Sequence, residues 1–138
     1  MAELPLVESI HFGFSPHTLY LRVVPSAARA GELDSVVLEV DVAVEGRQLR
    51  LTAASNEWEL DEADGSTWRS LGRGGPAALH RSLELGVPFQ RLGAQPGQKL
   101  ELAFRLRRGD VVLGRYPADG VIPVKVPDAS FELENWSA

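Results

Sequence analysis

Apolar side chains recur at every second position through most of this chain. Leu83, Leu85, Val87 and Phe89 are spaced by two, and after a turn-rich gap from Leu92 to Gly97 the spacing returns in Leu100, Leu102, Phe104 and Leu106. Glu101, Ala103 and Arg105 fill the positions between the last four. Strand side chains alternate between the two faces of a sheet, so this pattern predicts a half-buried antiparallel strand. Val111-Val112-Leu113 and the run from Val121 to Val126 predict two more. Earlier in the chain, Leu19, Leu21 and Val23 alternate with Tyr20 and Arg22 until Pro25 stops the run. Val36, Leu38, Val40, Val42 and Val44 then point one way, with Glu39, Asp41 and Glu45 on the other. Glu45-Gly46 predicts a tight hairpin leading into Leu49 and Leu51, although the pair is not the preferred Asn-Gly or Asp-Gly. The acidic outer face of the first strand would meet Arg47 and Arg50 on the second. Such cross-strand pairs contribute roughly 0.2–1 kcal/mol each, so they select the register more than they stabilise the fold.

Other stretches are less regular. Residues 1–17 contain Pro5, Gly13 and Pro16 and predict an irregular lead-in, with at most a short edge strand at His11 to Phe14. Residues 26–34 are small and polar and predict a loop or a single helical turn. The segment 55–81 is the loosest: Trp58-Glu59-Leu60 is a short strand candidate, Asp61 to Ser66 a turn, Trp68 stands alone, and Gly72 to Pro76 is a flexible connection. Ala77 to Arg81 is the best helix candidate, and it is short. Long loops within a compact domain are either functional or mobile. Many short strands separated by turn signals predict a sandwich or a barrel, and the fold expected here is an all-β antiparallel sandwich, immunoglobulin-like in its architecture. It would have about eight strands and form a single domain over residues 1–138.

Composition narrows the function. A chain of 138 residues can bury a core without staples, and it has no cysteine, which removes disulfides, thiol chemistry and cysteine-ligated metals. The net charge of −5 disfavours a nucleic-acid or anionic-membrane partner, because phosphate binding rests on clustered Lys and Arg. Arg105, Arg107 and Arg108 are the only basic cluster, and at a strand end they read as a solvated group protecting a sheet edge. No apolar run is long enough for a transmembrane helix, and the amino terminus is acidic where a secretory signal would be basic, so the expected location is cytoplasmic.

Candidate chemistry is sparse. His11, His17 and His80 are scattered without ligand spacing. Asp61, Glu62 and Asp64 before Gly65 superficially suggest a calcium loop, but Ala63 and the lack of a glutamate at the required distance break the pattern. There is no nucleophile elbow, and the glycines at 72 to 75 lack the lysine of a phosphate loop. No catalytic residue, metal or cofactor is therefore assigned, and the chain is not expected to be an enzyme. The aromatic residues carry more. Sugar rings present apolar C–H faces that stack on flat aromatic surfaces, while nearby carboxylates bond the hydroxyls. Trp58 and Trp68, beside Asp61, Glu62 and Asp64, would suit a saccharide, although for Trp58, flanked by Glu57 and Glu59, burial in the core is the better reading.

The series Leu85-Gly86-Val87-Pro88-Phe89, Leu92-Gly93, Pro96-Gly97, Arg115-Tyr116-Pro117, Asp119-Gly120 and Phe131 to Ser137 resembles the carboxyl-terminal β-sandwich region of glycoside hydrolase family 57 proteins, which are amylase-like and glucanotransferase-like. Pro16 to Val23 looks like the opening strand of that region, and the series is also similar to family 9 carbohydrate-binding modules. The catalytic carboxylates of family 57 lie in a preceding barrel, to which nothing here corresponds, so none is carried over. The resemblance implies a non-catalytic accessory domain of α-glucan metabolism. It would bind a polysaccharide or oligosaccharide, or pack on a catalytic barrel. The alternative is a structural or protein-interaction domain that forms a homodimer or docks a partner through an exposed strand edge. Trp136 is expected to tuck against the sheet and hold down the tail.

Overall fold

The structure, a computed structural model, describes residues 7–54, 57–75, 77–79 and 82–128. Eleven strands lie among them: β1 (Val7–Phe14), β2 (Thr18–Pro25), β3 (Val37–Val44), β4 (Arg47–Ala54), β5 (Glu57–Asp64), β6 (Thr67–Gly74), β7 (Ala77–Leu79), β8 (Leu83–Pro88), β9 (Lys99–Arg108), β10 (Val111–Tyr116) and β11 (Ile122–Lys125). A 3-10 helix at Ala27–Ser35 is the one helical element among the described residues. All pairings are antiparallel. The smaller sheet runs β1-β2-β8-β7 and the larger β10-β9-β3-β4-β5-β6. β11 lies beside β10 along the same flank of β9, pairing its first half while β10 pairs its second.

Alternation explains how the two sheets meet. Leu19, Leu21 and Val23 of β2 and Leu83, Leu85 and Val87 of β8 line the inner face of the smaller sheet. Across the interior, the apolar positions of β3, β4, β5 and β9 are almost wholly buried and belong to the same cluster. Each fully buried Leu or Phe contributes about 1.5–3 kcal/mol. An exposed cross-strand ion pair contributes at most about 1 kcal/mol. The dry interior therefore holds the sandwich together, and the charges outside it set the register.

Glu45 and Gly46 form the expected hairpin turn, both with positive φ (47° and 77°), as the twist of a two-residue hairpin requires. The expected reversal at Gly97 is also present, with φ 85° and the Gly97 N–H donating to the Val126 carbonyl at 3.0 Å.

Three expectations are corrected. The lead-in holds an eight-residue edge strand, β1, paired along its length with β2. The described residues of the segment 55–81 are not loop-rich: β5 and β6, eight residues each, form a hairpin turned at Gly65-Ser66, and residues 77–79 of the helix candidate Ala77 to Arg81 are a strand. Alternation fails there for a physical reason. Glu62 and Asp64 occupy inward positions of β5 near the end of the sandwich, so the strand runs past the apolar interior. β6 is an edge strand whose inward Gly72 and Gly74 leave their volume to Arg91 and Trp58. Finally, Arg105, Arg107 and Arg108 do not guard an edge, because β9 is flanked by β3 on one side and β10 and β11 on the other. Trp136, Phe131, His80 and Arg81 lie outside the described residues.

Candidate functional site

The five residues nominated for sugar contact all lie on the β5–β6 hairpin, and the pleat divides them. Trp58, Leu60, Glu62 and Asp64 share one side of β5, while Glu59, Asp61 and Ala63 share the other. Trp58 is buried in the core with 2% of its surface exposed. Its ring fills the place where Gly74 has no side chain, and the Arg91 guanidinium lies 5.0 Å from the ring centroid. Its indole N–H is buried without a hydrogen-bond partner. Trp58 is therefore a packing residue and offers no face to a sugar.

Glu62 is also spoken for. Arg47 donates to both of its carboxylate oxygens, Nε at 2.9 Å and Nη2 at 3.3 Å, and Arg69 Nη2 adds a third bond at 2.9 Å. These guanidinium bonds hold the carboxyl at about 2, well below its ordinary value. Arg47 also donates to the Leu92 carbonyl at 3.3 Å, so it clamps β4 and β5 to the loop between β8 and β9. Arg47 was expected to pair with the acids of β3, and only Arg50 does so. Asp64 sits at the turn, where its carbonyl accepts a bond from Thr67 Oγ1 at 3.0 Å. Because Asp61 and Glu62 point to opposite faces, the acidic run cannot converge on one cation.

What remains together is Trp68 with Asp61. Trp68 stands on the outer face of the larger sheet, 44% exposed, in register with Ala63. Asp61 is one strand over on the same face, in register with Ser70 of β6 on one side and Arg50 of β4 on the other. The Arg50 guanidinium lies over the Trp68 ring, 4.3 Å from its centroid. Cation–π stacking of this kind contributes about 0.5–1 kcal/mol at exposed sites and fixes the orientation of the ring.

Arg50 is held in turn. It lies 3.0 Å from Asp41 and 3.4 Å from Glu39 of β3, and from the far side Arg105 reaches Asp41 at 3.0 Å while Arg107 reaches Glu39 at 2.8 Å. The outer face thus carries a ladder of alternating charge across β4, β3 and β9, ending on Trp68. Burial pushes the Asp41 carboxyl up, but the bonds from Arg105 and Arg50 together outweigh it and hold the carboxyl below its ordinary value. Asp41 conversely raises the Arg105 guanidinium.

Arg50 is the member that the sugar-site reading of the sequence left out. Its place opposite Asp41 was legible from the hairpin register, but its contact with Trp68 depends on β6 lying two strands away. Among the described residues no group of three or more His, Cys, Asp or Glu could hold a metal ion, and no helix is long and apolar enough to cross a membrane. Compared with family models, curated proteins and solved structures, the chain matches none.

Proposed function

We propose that the chain is a non-catalytic accessory domain of α-glucan metabolism that binds a polysaccharide or oligosaccharide on the outer face of its larger sheet, through Trp68 and Asp61. The observation that carries this reading is the half-exposed Trp68 ring, held in place by Arg50 on a sheet face that also presents Asp61, Ser70 and Thr52. A sugar ring stacks its C–H face on such a surface and bonds its hydroxyls to the carboxylate and hydroxyl groups around it. A ring already ordered by its neighbour loses little freedom on binding, which favours affinity. The choice of α-glucan comes from the resemblance to the carboxyl-terminal region of family 57 proteins. The proposal gives the chain no bond-breaking step.

Titrating glycogen or maltooligosaccharides while following tryptophan fluorescence tests it. The expected result is a saturable change that Trp68→Ala abolishes and Asp61→Asn weakens about tenfold, or ~1.4 kcal/mol. A response that survives Trp68→Ala, or no response to any glucan, would overturn the reading. One observation favours the interaction alternative: β1 is an eight-residue edge strand carrying Phe12, which is 41% exposed. A stable dimer on sizing, with no glucan response, would support that alternative.

A further inference from the structure

We infer that the sandwich carries a second saccharide site on its opposite side, the outer face of the smaller sheet, where Tyr20 is the stacking surface and Gly13 the floor. A hollow of about 330 Å³ opens there, bordered by His11, Gly13, Tyr20, Arg22 and Glu84. That volume falls at the lower end of the ~300–1,000 Å³ range of small-molecule sites, which suits a short stretch of ligand. The inference goes beyond Trp68 and does not depend on it, since the two rings belong to different sheets.

The register assembles the hollow. Tyr20 of β2 pairs with Gly86 of β8 on one side and with Gly13 of β1 on the other. A Cβ on Gly86 would stand 3.1 and 3.2 Å from Tyr20 Cε1 and Cδ1, and 3.3 Å from the Thr18 methyl. The tyrosine ring therefore lies down over Gly86, with 51% of the residue exposed. Gly86 has a packing reason to be glycine. Gly13 has none: a Cβ there would meet nothing within 4 Å, and its φ is not in the left-handed region. A glycine inside a strand weakens the strand, and such positions often mark a close approach to the backbone by something else. Here the missing side chain is what opens the hollow beside Tyr20.

The rim names the ligand class. Arg22 and Glu84 are opposed across β2 and β8 and form an ion pair at 3.0 Å, with both side chains about half exposed. They offer donors and acceptors with no net charge. His11 is opposite Arg22, and its Nε2 shares a 3.0 Å hydrogen bond with Ser9 Oγ on the same face. An anion would meet Glu84 together with Arg22, and a wholly apolar peptide would strip water from all three polar groups, at a cost. A neutral pyranose fits both halves, with its C–H face on Tyr20 and its hydroxyls at Arg22, Glu84 and His11. With Trp68 on the other sheet, the chain would hold two saccharide segments on opposite faces.

The test is a titration with maltoheptaose and, separately, with cellohexaose, followed by the NMR shifts of individual backbone amides. Saturable shifts at Gly13 and Gly86 with at least one of the two sugars are expected. Gly13→Val should abolish them, because a β-branched residue suits the strand and fills the hollow; unchanged amides elsewhere would show that the fold is intact. Tyr20→Ala should weaken the same response about tenfold or more, and Trp68→Ala should leave it in place. Shifts confined to Asp61, Trp68 and Ser70 would overturn this inference and leave the Trp68 site standing. Shifts at Gly13 with none at Ser70 would do the reverse. No shift at Gly13 with either sugar, or a shift that persists in Gly13→Val, would overturn it outright.

Discussion

Trp58 and Gly74 face one another across the end of the β5–β6 hairpin, and a methyl group on Gly74 would fall inside the van der Waals surface of the Trp58 ring. Gly74 does not adopt a left-handed φ, so the requirement for glycine is one of volume and not of backbone freedom. Overpacking of this kind costs about 1–3 kcal/mol. Gly74→Ala should therefore lower the urea midpoint without changing the denaturant slope; an unchanged midpoint would mean that the ring moves aside freely. From the sequence, Trp58 could be assigned either to the core or to a sugar. Its alternation with Leu60 was visible, but the glycine that receives its ring is sixteen positions further on. Trp68 was equally visible as a lone aromatic residue, whereas the arginine stacked on it was not.

At the scale of the element, the β3–β4 hairpin is the best-specified part of the chain, yet its turn carries a flaw. Glu45 has φ 47°, a left-handed conformation that costs a residue with a Cβ roughly 1–2 kcal/mol. Asparagine tolerates that region, and Asn-Gly is the preferred pair for such a turn. Glu45→Asn should raise stability by about 0.5–1 kcal/mol, read as an upward shift of the thermal midpoint. A fall would show that the Glu45 side chain contributes more than its backbone strain costs. The β5–β6 hairpin was harder to read, although its turn at Asp64-Gly65-Ser66 carries the usual residues. Glu57, Glu59 and Asp61 on the outward side of β5 and Glu62 and Asp64 at its inward end are all polar, so period-two alternation disappears from the sequence while the strand pairing continues in the structure. The sequence shows β1 only in part, as a short edge strand at His11 to Phe14, for a related reason: an edge strand with Gly13 and an exposed Phe12 has no clean apolar face.

For the whole molecule, ionisation links the carboxylate–guanidinium pairs to stability. Glu62 is held at about 2 by hydrogen bonds from Arg47 and Arg69. Glu32 is held at about 2, chiefly by its hydrogen bond from Arg29, and Asp41 lies below its ordinary value. A carboxyl with a depressed folded value releases its proton more readily in the folded chain than in the unfolded one. Its stabilisation is thus fully present above the unfolded value of 4.5 for glutamate and is lost as the pH falls toward 2. Urea midpoints should stay nearly level from neutral pH to about 4.5 and then decline steeply. Glu62→Gln should flatten part of that decline; an identical decline in the variant would show that Glu62 plays no part in it.

Apolar residues at every second position, punctuated by glycine and proline, were sufficient by themselves to determine strands, an antiparallel sandwich with a dry interior, and the tight turns at Glu45-Gly46 and Gly97. That information is local, because the face on which a side chain falls depends only on its parity along its own strand. Only the tertiary structure decided which strands are neighbours. It set β9 beside β3, so that Arg105 and Arg107 answer Asp41 and Glu39 from more than sixty residues away. It also carried Trp58 inward while leaving Trp68 outside, and it laid Gly13 and Gly86 on either side of Tyr20. Strand order is settled when distant segments close over a shared core, and no short-range pattern records that choice.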